Sequence, residues 1–379
     1  MKSLKKVVLI PDSFKGTMDS TEICSIMAEQ IRRHQPNARV VQIPVADGGE
    51  GTTDAFLTAM EGKKVFLPVE GPYGENMRGF YGLVDGGRTA VIEMASCAGL
   101  PLVGENRHAE KTTTYGVGQL IAHAALSGCR KIIIGLGGSA TNDGGAGAAA
   151  ALGVRFLDAQ GSEFLPVGGT LDRIQSVDLS GLCSALKDVE LITMCDIDNP
   201  LCGPQGAAAV FGPQKGAAES TVKMLDRNLA HFAEVIRNDL GKDVAALPGA
   251  GAAGGMAAGM VALLGARLQM GIETMLDAVR FEQIASDADL IITGEGKLDF
   301  QSLRGKVISG VARRAKGMKI PLIAVVGDIG DNIEPVYQIG VSAVFSINQV
   351  AVDYSVARTR SREDLAKTID NLMRLFSVC

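Results

Sequence analysis

Tryptophan is absent from the 379 residues, and aromatic residues make up only 4%. The core must therefore rest on Val, Ile, Leu, Ala and Met, for which a hydrophobic content of 46% is ample. No CxxC pair occurs. The seven cysteines (Cys24, Cys97, Cys129, Cys183, Cys195, Cys202 and Cys379) are odd in number and scattered. That argues against a disulfide framework and for reduced thiols in a cytoplasmic protein. The histidines lie far from any cysteine pair, so zinc has no support. The net charge is -5, and no basic stripe interleaved with aromatics appears, so no nucleic-acid partner is expected. The N-terminal apolar run stops at Ile10, too short for a signal peptide. Residues 244–266 carry no charge but hold Pro248 and six glycines, which reads as a buried Gly/Ala helix rather than a membrane span.

What the chain does have is glycine, 47 residues of it, clustered after short apolar runs. Lys6–Ile10 is such a run, with a loop holding Lys15 behind it, then an amphipathic stretch from Ser20, the plausible N-cap, to Arg33. Arg39–Val45 leads into Asp47-Gly48-Gly49-Glu50-Gly51 and a helix at Thr53–Met60. Strand and helix alternate here as in a doubly wound α/β layer. From about Gly62, the strands Lys64–Val69, Gly79–Val84 and Thr89–Met94 are joined by short turns, which suggests antiparallel pairing. Alternation returns near Asp289. The expected architecture is a discontinuous Rossmann-like parallel-sheet domain from residues 1–62 and 284–379, with a second α/β domain with a mixed sheet, 63–283, inserted.

Residues 131–147, KIIIGLGGSATNDGGAG, read as a strand, a Gly-rich loop and a helix start. Such a loop offers backbone N–H groups, and the helix N-terminus adds a favourable dipole for an anion. Asp143 would repel a phosphate unless a cation lay between them, which suggests a phosphate-plus-metal cradle. No Walker A sequence is present, since the GK dipeptides at Gly62, Gly241 and Gly305 lack its other residues. No GxSxG elbow occurs either. Gly135–Ala140 does fit GxGxxA, with Asp158 roughly twenty residues on, the spacing of a dinucleotide turn. A nicotinamide-dependent oxidoreductase is thus one alternative, and a non-catalytic nucleotide-binding regulator another. Against both stand four acid-bearing loops after apolar runs: Asp47 with Glu50, Asp143, Asp196 with Asp198, and Glu295 with Asp299. Each acid alone reads as a turn residue or cap. Together, with Lys15, Lys297, Arg304 and Lys306 on neighbouring loops, they fit Mg2+-assisted phosphoryl transfer.

Five motifs then carry a specific resemblance: PDSFKG at 11–16, PVADGGEGT at 44–52, GGSATNDGGAG at 137–147, CDIDNPLCGPQGAA at 195–208 and TGEGKLDFQSLRGK at 293–306. In this order they resemble the bacterial glycerate kinase type-1 family. The resemblance implies ATP-dependent phosphorylation of D-glycerate with Mg2+, the 2-position favoured, by a Rossmann-like domain with an inserted α/β domain. The residues matching the motifs are then expected to serve as follows. Asp198 is the first choice for general base and Asp196 the second, with Lys15 also catalytic. Gly137, Gly138, Ser139, Thr141, Asn142, Gly294 and Glu295 would bind the nucleotide. Asp47, Gly48, Gly49 and Arg304 would bind substrate, and Asp196 and Asp47 the metal. On this reading, the 137–147 loop of the inserted domain faces DGGEGT and TGEGKLD across a cleft. Partners are small molecules only, with no membrane, and a homo-oligomer is left open.

Overall fold

The computed structural model describes residues 4–299 and 306–378. Thirteen strands lie among them: β1 Lys6–Pro11, β2 Arg39–Gln42, β3 Lys63–Glu70, β4 Asn76–Val84, β5 Thr89–Glu93, β6 Lys131–Gly135, β7 Arg155–Leu157, β8 Ser176–Asp178, β9 Glu190–Met194, β10 Arg267–Gln269, β11 Leu290–Leu298, β12 Leu322–Ile329 and β13 Ala343–Ser346. The chain forms two compact units. The first holds Met1–Ala46, Thr58–Met60 and Ile272–Cys379, and the second Asp47–Leu57 and Glu61–Gly271. A boundary near residue 62 puts the segment Asp47–Leu57 with the first unit, but its contacts place it in the second. The reason is close backbone packing: a Cβ on Gly135 would meet the Gly48 carbonyl oxygen at 2.4 Å, and Gly137 N donates to that oxygen at 2.9 Å.

The first unit is a five-stranded sheet in the order β13-β12-β11-β1-β2. Every pairing in it is parallel. Parallel strands covered on both faces read as continuous apolar runs, and β1 is buried along its whole length. Val7 and Leu9 point to one face, where they meet Ile23, Met27 and Ile31 of the helix Ser20–His34 and Leu365 and Ile369 of the helix Tyr354–Val378. The chain leaves β1 towards β2 and returns at β11 on the other side. This makes the carboxyl ends of β1 and β11 the topological switch point, where ligands gather in such sheets.

Three local expectations are corrected. Ser20 is not the N-cap; Asp19 is, its side chain accepting from Glu22 N at 2.8 Å. Ser20 is the first helical residue, and its hydroxyl donates to Pro11 O and accepts from Val45 N. Residues 294–297 are not a loop. They continue β11, with Gly294 opposite Val325 and Glu295 opposite Val326, because the neighbouring strand is long enough to keep pairing them. The Gly/Ala helix begins only at Met256; Gly249–Gly255 precede it as turns.

The second unit has a six-stranded sheet, β10-β9-β6-β5-β4-β3. The β3–β4 and β4–β5 pairings are antiparallel, as the turn signals suggest, and β5, β6, β9 and β10 run parallel. Strands β7 and β8 pair separately. No helix among the described residues is long and apolar enough to cross a membrane.

Candidate active site

Strand β6 lies between β5 and β9, and Ile132, Ile133 and Ile134 are buried there. Its carboxyl end delivers Leu136–Gly145, after which the helix Ala146–Ala151 begins. That helix is only six residues long, and its N-terminus is already occupied. Asp143, fully buried, accepts there from Gly145 N at 3.1 Å and Gly147 N at 3.3 Å. It also accepts from Thr114 N and Thr114 Oγ1, both at 2.8 Å. The Thr114 hydroxyl in turn accepts from Ala148 N at 2.9 Å. Asp143 is therefore the anion this helix start binds, not a metal ligand beside an external phosphate. Burial pushes its carboxyl above the usual carboxylate range, and the four hydrogen bonds hold the shift back.

Upstream of Asp143 the loop is gripped from below by a lysine. Lys215 is 2% exposed and ends a short turn of helix at Pro213–Lys215. Its Nζ donates to Ser139 Oγ at 2.8 Å and to Thr141 O at 2.7 Å. Burial brings its pKa down to about 7, opposed by the negative field of Asp143. A second clamp comes from the turns before Met256: a Cβ on Gly254, at φ +67°, would lie 2.0 Å from Thr141 O, so only glycine fits. Loop atoms left over are polar and buried. Thr141 Oγ1 and both Asn142 amide atoms have no hydrogen-bond partner among the described residues, nor has Thr193 Oγ1 on β9. At the crest, Gly138 is exposed and adopts φ +73°. The carbonyl of Gly138 accepts from Leu100 N, and Ala140 N donates to Ala98 O. The N–H groups of Gly138 and Ser139 donate to no protein atom among the described residues.

The loop Asp47-Gly48-Gly49 packs against this crest within the same unit. A Cβ on Gly137 would meet Gly49 Cα at 2.4 Å, and one on Gly48 would meet Met194 Cβ at 3.3 Å. Asp47 is exposed, and one of its carboxylate oxygens accepts from Gly49 N at 3.2 Å. The following helix, Thr52–Met60, is fixed by a buried acid: Glu93 accepts from Thr53 N at 2.5 Å. Asp196 and Asp198 follow β9, both exposed, and Asp196 accepts from Gly271 N at 2.7 Å. Gly48, Gly49, Gly137, Gly138 and the end of β9 are thus brought together, with Asp47, Asp196 and Asp198 on the adjoining segments.

Lys15, Gly294 and Glu295 belong to the first unit. Lys15 is exposed in the turn after β1, and Gly294 and Glu295 are buried in β11. A Cβ on Gly296 would meet Lys15 N at 3.4 Å, so these segments touch at the switch point. Arg304 lies outside the described residues. Among the described residues no group of three or more His, Cys, Asp or Glu side chains could by itself hold a metal. Asp47 and Asp196 are exposed carboxylates, the hard oxygen donors that Mg2+ takes one or two at a time beside phosphate oxygens and water. The dinucleotide alternative loses its acid. Asp158 follows β7, which lies with β8 in a separate two-stranded sheet, and its carboxylate accepts from Gln160 N and Ser162 N in a local turn.

Lys215, Glu93 and Thr114 are the site residues that sequence reasoning missed. A lysine in the Gly/Pro-rich turn 212–216 reads as a solvated charge. Nothing in its spacing announces a buried cation 76 positions from its partner hydroxyl.

A profile described as the glycerate kinase family matches residues 7–377. The glycerate kinase of Bacillus subtilis (strain 168) is 46% identical over 96% of this chain and 95% of its own length. The glycerate 2-kinase of Escherichia coli (strain K12) is 47% identical over 90% of each. The crystal structure of a Salmonella typhimurium LT2 protein assigned as a glycerate kinase 2 superposes with a TM-score of 0.87 at 42% identity, covering 99% of both chains. With a family match running through every segment that builds the loops described above, the chain belongs to the glycerate kinase family.

Proposed function

We propose that this chain transfers the γ-phosphoryl group of ATP to a hydroxyl of D-glycerate, the 2-hydroxyl in preference to the 3-hydroxyl, with Mg2+ and in the cytoplasm. The observation that carries this reading is the relatedness to glycerate kinases at 46–47% identity over at least nine-tenths of the chain. The products are ADP and a phosphoglycerate.

In this reading Gly137, Gly138, Ser139, Thr141 and Asn142 form the phosphate cradle. The N–H groups of Gly138 and Ser139, which have no protein acceptor among the described residues, support that role. Asp47 and Asp196 would hold Mg2+, which when bound neutralises charge on the phosphoryl oxygens. Asp198, exposed after a buried strand, takes the proton from the attacking hydroxyl, with Asp196 as second candidate. Gly48 and Gly49 let the backbone approach the substrate closely.

A coupled assay of ADP release on addition of D-glycerate, with products resolved by phosphorus NMR, tests the reading. Expected is glycerate-dependent ADP release with the phosphorus resonance of the 2-phosphate. No glycerate-dependent release would overturn the activity, and a 3-phosphate product would overturn the position.

A further inference from the structure

Lys215 is a buried cation that the mechanism above does not use. It lies under the loop Ser139–Thr141, and both of its hydrogen bonds among the described residues go to that loop, to Ser139 Oγ and Thr141 O. Burying an ammonium costs several kcal/mol unless it is paired, and this chain spends that cost directly behind the loop crest. At the crest Gly138 is exposed, and Gly138 N and Ser139 N have no acceptor among the described residues. Behind it, Thr141 Oγ1 and the Asn142 amide are buried with no hydrogen-bond partner among the described residues. The loop therefore has fixed carbonyls, a cation on its inner side and unused donors along its length. That arrangement suits an oxyanion on the outer side. It is also stiff, since Gly254 packs on Thr141 and Ala98 and Leu100 hold the backbone on either side of Ser139.

We propose that Lys215 is a positioning residue for phosphoryl transfer: it fixes Ser139 and Thr141 so that the Gly138 and Ser139 N–H groups face a ligand oxyanion, and it keeps a positive charge behind them. The oxyanion is a phosphate oxygen of the nucleotide or the carboxylate of glycerate, which share this chemistry. The proposal rests on the phosphate-cradle reading above. Among the described residues, charged groups near Lys215 include Asp143, on the loop it supports, and Arg107, which donates to Gln214 O in the turn that carries it. Asp143 is engaged by four hydrogen bonds, so it balances the lysine without closing the crest.

The test is steady-state kinetics of the full chain with MgATP and D-glycerate for wild type, Lys215→Met and Lys215→Arg, beside thermal melts. The wild-type assay is run first; absence of glycerate-dependent ADP release there overturns the functional reading and not the Lys215 assignment. With activity present, Lys215→Met is expected to raise one KM tenfold or more and Lys215→Arg to recover most of it. A raised KM for MgATP places the nucleotide phosphate on the crest, and a raised KM for glycerate places the carboxylate there. The wild-type value of that KM is expected to rise with pH above about 7, where the lysine loses its proton, and the arginine variant to stay flat. Should Lys215→Met fail to fold, Ser139→Ala, which removes only the gripped hydroxyl, is expected to raise the same KM severalfold. Unchanged KM values, or a loss that follows melting temperature and is not recovered by arginine, would overturn the proposal.

Discussion

Asp143 and Lys215 are opposite charges buried behind one loop, and each is matched before any ligand arrives. Asp143 carries four hydrogen bonds, so Asp143→Asn replaces an acceptor with a group that also donates, and it leaves Lys215 without its counter-charge. A loss of about 3 kcal/mol in stability is expected, read from urea unfolding. The pH dependence has a definite sign. Between about 7 and the ordinary lysine value of 10.5 the unfolded chain holds the lysine proton and the folded chain does not, so stability from this group rises with pH through that window and is level below it. In Lys215→Met that rise should disappear from urea midpoints measured between pH 7 and 9. The same titration weakens anion binding, so the group trades stability for charge as pH falls. Asp198 stands apart, exposed on its loop. Asp198→Asn is expected to lower turnover at least a hundredfold with an unchanged melting temperature, because its cost falls on proton transfer rather than on packing. Near-wild-type turnover would remove it as the base.

Among the elements, the strand-to-loop junction at β6 decides the most. Gly135 and Gly137 have no side chain because the backbone of Gly48 and Gly49 passes against them. Gly135→Ala would set a Cβ 2.4 Å from the Gly48 carbonyl. The prediction is displacement of the Asp47–Gly49 loop and a fall in kcat/KM larger than the change in melting temperature would explain; intact kcat/KM would show that this approach is not needed. Helix ends carry smaller terms. Asp19→Ala removes the cap on Ser20–His34 and should cost about 1 kcal/mol without altering kinetics.

For the molecule as a whole, the chain builds two compact units with separate cores. The absence of tryptophan makes them separately observable. Phe376, packed against the first unit's core, and Phe164, packed against a core of the second, are suitable sites for single tryptophans. Under the cradle reading, MgATP stabilises the second unit directly, by about 2.7 kcal/mol at a hundredfold excess over Kd. The denaturation midpoint seen by Phe164→Trp should therefore rise with MgATP. A midpoint unmoved by nucleotide in a variant that retains activity would argue against the loop crest as its site.

Sequence alone determined the fold class and the family. Continuous apolar runs such as Lys6–Ile10 and Ile132–Ile134 announce strands buried in parallel sheets, and glycine clusters behind them announce tight loops, since both signals are local in the chain. The antiparallel pairing of β3, β4 and β5 was legible for the same reason, from their short turns. Where pairing is set by a distant neighbour, local pattern misleads. Residues 294–297 look like a Gly-rich loop but extend β11, because β12 offers them partners. Asp143 looked like a metal clue, yet its carboxylate is consumed by Thr114, Gly145 and Gly147. Lys215 carries no signal in the local sequence, and only folding brings it beneath Ser139. Burial and hydrogen-bond partnership are properties of the packed chain, so the tertiary structure alone decided which charges support the loop and which groups it leaves open.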